Sequence, residues 1–390
     1  MAQFDALGEV GTLRALRRAD PVHWSDELGA WVFTRYDDIA GALRDLRWRR
    51  NPPEGLGNPG WPDDYPAIRS VMDHLFLTMD PPDHTRLRGL VNRAFTPVAV
   101  AAMQGRIRDI VDDLLGAVEG RPTFDVIADF AVPLPATVIA ELLGIPTSDL
   151  PRFKRWSDDF AVVIDYQLDE NWPALETSMA EFSTYVRELA KERRAAPRED
   201  LISALVARHE GDALTEDELV ATVILLIAAG HETTTNLIGN GVLTFFRHSE
   251  QLARFRDDPA VAATAVDEIL RFESPVQATF RVAGEAIDVD GRRILPGQEV
   301  MLSLAAGNRD PAAFPSPDAF DVGRTPNRHL AFGLGAHFCI GAPLARMEGR
   351  IALTSLFDRF PDLHAVDRSA LPAWRTSLVF RALEQLPVAP

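Results

Sequence analysis

Cysteine is almost absent: one residue in 390, Cys339, so an internal disulfide framework is excluded. Basic residues are outnumbered, with 40 Lys and Arg against 57 Asp and Glu, a formal net charge of −17. So acidic a balance argues against general nucleic-acid binding, which needs a positive footprint to displace counterions. It leaves room for a local basic patch. Long apolar runs are missing too: Leu219–Gly230 covers about 12 residues and includes Thr222, against the ~20 a membrane span requires. Residues 1–11 hold no Lys or Arg and no apolar core, so no signal peptide is read there and a cytoplasmic location is expected. Hydrophobic residues at 46% and charged residues at 25% are ordinary globular values, which excludes disorder as the main state.

Neither a repeat nor a low-complexity tract interrupts the chain. From Asn51 to Pro66, eight of sixteen residues are Gly or Pro, which reads as a long loop, either a lid or a plain surface connection. Elsewhere helical spacing dominates. Thr96-Pro97 opens a pattern through Met103, Ile107, Val111 and Leu115. Glu176–Arg194 forms another, with Phe182, Val186 and Leu189 on one face. Thr215-Glu-Asp-Glu218 is a capping box that starts an apolar run towards Phe246, expected to cross the core. Pro259–Phe272 is a shorter helix. Strands are few: Gly29–Arg35, a hairpin within Arg281–Ile294 around Asp290-Gly291, and Gln298–Leu304, followed later by a turn near Ser377. The expected fold is mainly α with small β-sheets, in a single domain over residues 1–390.

Phe332-Gly-Leu-Gly-Ala-His-Phe-Cys339-Ile-Gly341 is the most informative stretch. Its glycines permit tight turns and close approach of backbone to something flat or bulky. A helix pattern begins after Gly341, so Cys339 precedes a helix N-terminus, whose amides and dipole favour a thiolate. A stabilised thiolate is a metal ligand or a nucleophile, whereas an inert buried thiol leaves His337 without a purpose. The pattern Phe-Gly-x-Gly-x-His-x-Cys-x-Gly resembles the haem-binding signature of the cytochrome P450 family. The resemblance implies haem b, with Cys339 as the axial iron ligand that pushes electron density onto the metal to favour O–O cleavage.

Other segments acquire roles by the same resemblance. Glu268-Ile-Leu-Arg271 shares a helix face at i, i+3; on spacing alone it is a surface ion pair of little worth. Its place upstream of the cysteine loop resembles the family's structural Glu-x-x-Arg. Pro317-x-x-Phe320-Asp-x-x-Arg324 resembles the meander whose arginine completes that network. Ala229-Gly-His-Glu232-Thr233-Thr234 lies midway along the long helix, where a carboxylate is costly unless paired or functional. Gly230 and the threonines suggest a local bulge there. The resemblance gives Glu232 and Thr233 proton delivery to dioxygen. His84 and Arg88, at i, i+4 in Asp80-Pro-Pro-Asp-His84-Thr-Arg-Leu-Arg88, Arg281 and His337 match the residues that bind the haem propionates, a carboxylate task for which Arg is suited.

These matches extend over nearly the whole chain and imply a monooxygenase that inserts one oxygen atom from O2 into a small organic substrate. Electrons would derive from NAD(P)H through a separate ferredoxin or flavodoxin and its reductase. A monomer is expected. Substrate contacts implied by the resemblance are Leu75, Phe76 and Leu77, Phe160 to Ile164, Ala229, Thr234, Val276 to Phe280 including Thr279, and Leu378-Val379. These are mainly apolar, pointing to a hydrophobic or mixed ligand. Arg86, Arg93, Arg324, Arg328, Arg346 and Arg350 suggest a basic proximal patch for an acidic redox partner, with Arg324 turned inward. The rivals are a peroxide-using or coupling haem-thiolate enzyme, a non-enzymatic haem sensor, and, most remote, a zinc site from His329, His337 and Cys339.

Overall fold

The computed structural model describes residues 10–56, 63–165, 171–207, 214–367 and 373–390. Helices dominate and the strands are short, the mainly α architecture with small sheets that the apolar spacing predicts. Two compact units are distinguished: Met1–Gly57, Val111–Ala131 and Thr233–Pro390 in the first, Asn58–Ile110 and Val132–Glu232 in the second.

Among the described residues, the sheets all lie in the first unit. Strands β1 (Val22–Ser25), β2 (Ala30–Phe33), β3 (Trp48–Arg49), β4 (Phe124–Asp125), β5 (Ala278–Ala283), β6 (Ile287–Val289), β7 (Arg292–Ile294), β8 (Glu299–Ser303), β9 (His364–Ala365) and β10 (Pro387–Ala389) follow one another in the chain. The largest sheet has the order β1-β2-β8-β5-β3. Within it β2 runs parallel to β8, Trp31 opposite Val300, and β5 antiparallel to β8, Arg281 opposite Val300. One face buries Val22, Phe33, Ile39, Leu43, Trp48, Val300, Leu302 and Leu330 as a single apolar cluster. The hairpin is β6–β7 alone, turning on Asp290 (φ 48°) and Gly291 (φ 73°), the positive pair that matches strand twist. Arg281 belongs instead to β5, which corrects the longer hairpin expected from the sequence.

The capping box is reciprocal: the Thr215 amide donates to Glu218 Oε2 at 2.8 Å and the Glu218 amide to Thr215 Oγ1 at 3.2 Å. The long helix then runs Glu216–Arg247 without a break, so the bulge expected at Gly230 is absent. Gly230 serves close packing instead, since a Cβ there would lie 3.2 Å from the Ile139 side chain. Further along, Gly241 and Gly349 let this helix pack tightly with the helices Ala262–Phe272 and Ala342–Arg359; a Cβ on Gly349 would lie 2.9 Å from Leu237 Cδ2.

In the second unit Pro66 is not loop but the first residue of the helix Pro66–Asp73, as fits its fixed φ. The carboxylate of Glu176 caps that helix, accepting from the Ala67 and Ile68 amides at 2.7 and 3.0 Å. Glu176 lies in the helix Trp172–Ala195, which starts four residues before the expected Glu176 because Pro173 suits its first turn. Trp156 stacks on Phe182, centroids 5.0 Å apart, to join this helix to Leu150–Ile164. Residues 57–62 of the Gly- and Pro-rich stretch lie outside the described residues. Among the described residues, Val126–Leu143 is long and apolar enough to cross a membrane, at mean hydropathy 1.8. It is a π-helical turn (Val126–Ala131) and a helix (Pro133–Leu143), and over half of it is buried in the fold.

Candidate active site: a glycine-lined cysteine loop

The cysteine loop of the first unit is shaped by backbone that only glycine adopts readily. Gly333 and Gly335 have φ of 64° and 71°, and a Cβ on Gly335 would collide with the Leu43 carbonyl. The Cys339 amide donates to the Phe332 carbonyl at 2.9 Å, which closes the turn. Gly341 then precedes the helix Ala342–Arg359; a Cβ there would lie 3.9 Å from Cys339 Sγ, an ordinary contact distance, so the residue flanks the sulfur without being forced to be glycine by space. The thiol is partly exposed and just outside a helix N-terminus, where its anion is favoured. His337 sits in the single turn Gly335–His337 of the same loop.

Behind the loop the Glu-x-x-Arg pair is fully buried. Arg271 Nε and Nη2 each donate to Glu268 at 2.8 Å, and Arg324 Nε donates to both of its oxygens at 3.1 and 3.0 Å. Asn327 Nδ2 and the Asp321 amide donate to the same carboxylate. Remaining guanidinium donors reach main-chain carbonyls: Arg271 to Asn308, Pro317 and Ala319, Arg324 to Pro315, Ser316 and Ala319. Such full satisfaction is what a buried charge cluster requires. The surface-pair alternative is thereby excluded.

The long helix is buried residue after residue from Leu219 to Ala228 and again from Thr234 to Val242, with a more open face between them. There Ala229 is exposed and Gly230 and Thr233 are part-exposed, while His231 and Glu232 turn inward. Ala229 and Thr233, at i and i+4, share that face. In the first unit Val276 and Val379 come together, since Val276 bridges to Phe380 and the Gln277 amide donates to the Val379 carbonyl at 2.7 Å. Thr279 and Arg281 follow on β5; Arg281 is buried and donates to the Phe280 carbonyl at 2.7 Å. Leu378 and Thr234 belong to the same unit. In the second unit His84 and Arg88 lie one turn apart on the helix Asp83–Ala94, with His84 buried. Leu75 and Phe76 are also buried there, at the start of the turn Phe76–Thr78 that includes Leu77.

The family model for cytochrome P450 matches residues 147–260 and 259–372. The chain belongs to the cytochrome P450 family. It is 41% identical over 376 residues to the biotin biosynthesis cytochrome P450 of Bacillus subtilis, covering 96% of this chain and 94% of that one. The 6-deoxyerythronolide B hydroxylase of Saccharopolyspora erythraea is 38% identical, with 97% and 95% covered. A crystal structure of P450BioI in complex with acyl carrier protein ligated to hexadec-9Z-enoic acid matches with TM-score 0.94 at 39% identity, covering 100% of both chains. As a cytochrome P450, the protein is an oxidoreductase that uses haem and O2 to insert oxygen into a small organic substrate, with NAD(P)H electrons delivered by redox partners.

The residues present fit such a group. Among the described residues no three His, Cys, Asp or Glu side chains gather as a metal site, which leaves the zinc alternative without a ligand set. One sulfur on a glycine-lined loop would suit a metal that a cofactor brings with most of its own ligands. Two parts of the site escaped sequence reasoning. Asn308 is fully buried, accepting from the Leu330 amide at 2.6 Å while Nδ2 donates to Ser274 Oγ. Asp267, beside Glu268, binds His329 and Arg346. The available signal was an acidic residue next to the Glu-x-x-Arg glutamate, flanked by apolar positions. The expected basic patch is also smaller: Arg86 is ion-paired with Glu218 and Arg346 with Asp267, and Arg324 points inward, leaving Arg328 and Arg350 in the first unit.

Proposed function

We propose that Cys339 Sγ is the axial haem ligand and that the whole of residues 1–390 works as one haem domain. The glycine backbone around the only cysteine carries this reading. Haem, when bound, supplies the dioxygen chemistry; the protein's share is binding, orientation, exclusion of water and proton handling. His84, Arg88, Arg281 and His337 would hold the propionates by charge-assisted hydrogen bonds. Glu232 and Thr233 are the proton-handling pair, with Thr233 part-exposed on the long helix. Glu268, Arg271 and Arg324 hold the loop and touch no reactant.

The substrate is a hydrophobic or mixed small molecule resting against Ala229, Thr234, Val276, Thr279, Leu378 and Val379, with Leu75, Phe76 and Leu77 as further contacts. A fatty acyl chain delivered on a carrier protein is favoured by the full-length likeness to P450BioI, whose structure includes such a carrier. Titrating free acids and acyl-carrier thioesters while following the low- to high-spin Soret shift tests this; a shift with neither removes the acyl class. The electron donor is an acidic ferredoxin docking on Arg328 and Arg350, in a cytoplasmic, monomeric enzyme. Reduction by such a donor slows as salt rises, and salt-independent reduction would remove the electrostatic part of this reading.

A further inference from the structure

The carboxylate of Asp267 ties together two segments that flank the cysteine loop on opposite sides. Before the loop, His329 Nε2 lies 3.2 Å from Asp267 Oδ1. After it, Arg346 Nε donates to the same oxygen at 2.7 Å. The Ala331 amide donates to His329 Nδ1 at 3.3 Å, so Nδ1 is the acceptor and Nε2 carries the proton given to Asp267. The Arg346 guanidinium lies over the Phe332 ring, 4.6 Å from its centroid, and the Phe332 carbonyl accepts the Cys339 amide. A continuous chain of contacts thus runs from Asp267 through Arg346 and Phe332 to Cys339. Burial works against ionisation of Asp267, but hydrogen bonds from His329 and Arg346 outweigh it and hold the carboxyl below its ordinary value.

We propose that Asp267 is a positioning residue for the cysteine loop, one carboxylate that closes the segment 329–346 like a buckle. The neighbouring Glu268 cannot do this, because its donors come from the helix itself and from residues 321–327, all before the loop. The two consecutive acids of the helix Ala262–Phe272 therefore divide the work: Glu268 anchors the meander, Asp267 the loop that follows. Opening of residues 329 to 346 about their glycines would break this tie as well as the Leu330–Asn308 hydrogen bond, and a charge-assisted tie of this kind suppresses that opening. The proposal rests on Cys339 being the axial ligand for its functional meaning, but not for its structural test.

The test is hydrogen–deuterium exchange on the haem-loaded protein for wild type, Asp267→Asn, Arg346→Gln and the double variant. Asparagine still accepts from His329 but no longer pairs with Arg346. Each single variant should speed amide exchange over residues 330–341 on the order of tenfold, as expected for losing a hydrogen bond to a charged group, while the helix Pro66–Asp73 stays unchanged. The double variant should be no faster than either single, because both remove one link. The ferrous carbon monoxide complex of each variant should also lose its thiolate-type Soret band faster than wild type. Unchanged loop exchange, multiplying effects in the double variant, or acceleration spread over the whole molecule would overturn the proposal. Should Asp267→Asn fail to fold, Arg346→Gln alone decides by the same loop readout. A wild type lacking the thiolate band would instead strike the assignment of Cys339, leaving the exchange result interpretable.

Discussion

Arg271 and Glu268 meet as a two-pronged ion pair, 2.8 Å on each prong, with neither side chain exposed to solvent. Removing one partner strands the other charge in the interior, a loss of about 3–5 kcal/mol. Glu268→Gln should therefore yield mostly haem-free or unfolded protein, and Arg271→Lys should do little better, since an ammonium cannot reproduce the planar fork that also reaches Asn308, Pro317 and Ala319. Haem content per folded protein and the unfolding midpoint measure this. A Glu268→Gln protein with normal haem content and midpoint would remove the network from the account of the loop.

Thr233→Ala separates mechanism from folding. Alanine is the better helix former and Thr233 is part-exposed, so stability and the carbon monoxide spectrum should be preserved. If Oγ1 manages protons, product formed per NAD(P)H should fall, by up to roughly a hundredfold, and hydrogen peroxide should rise to balance the electrons consumed. Unchanged coupling would leave Thr233 as an ordinary helix residue.

Glu348 offers a test of burial alone. It is on the helix that follows the cysteine loop, 2% exposed, with Oε2 unpartnered among the described residues. Desolvation pushes its carboxyl up to about 8 from 4.5. Between those values the native state keeps a proton that the unfolded chain has lost. Stability is therefore complete below about 4.5 and drains away as pH rises towards about 8. Glu348→Gln, which mimics the protonated acid, should match wild type in acid and exceed it at about pH 8, by about 2 kcal/mol or more. Unfolding midpoints against pH for both proteins check this; parallel curves would contradict it.

What the sequence made legible was whatever local chemistry dictates. The Thr215–Glu218 box, the Asp290-Gly291 turn and the glycine spacing around Cys339 each need only their own neighbours, and each is found in the structure. What it hid depends on residues distant in the chain. Gly230 reads as a helix weakness until Ile139 is seen against it, and the π-helical turn Val126–Ala131 carries no local signal. Asp267 drew no role from the sequence because its partners His329 and Arg346 lie 62 and 79 residues further on. Arg86 looked available for a partner until Glu218 was found beside it.

The assignment of Cys339 carries everything else, and the spectrum of the reduced protein under carbon monoxide tests it most directly. Wild type should give the strongly red-shifted Soret band of a thiolate-ligated haem. Cys339→His should lose that band while keeping haem, because the propionate partners and the loop's glycines remain in place. A wild-type spectrum of histidine-ligated type, or a red-shifted band that survives in Cys339→His, would contradict the account.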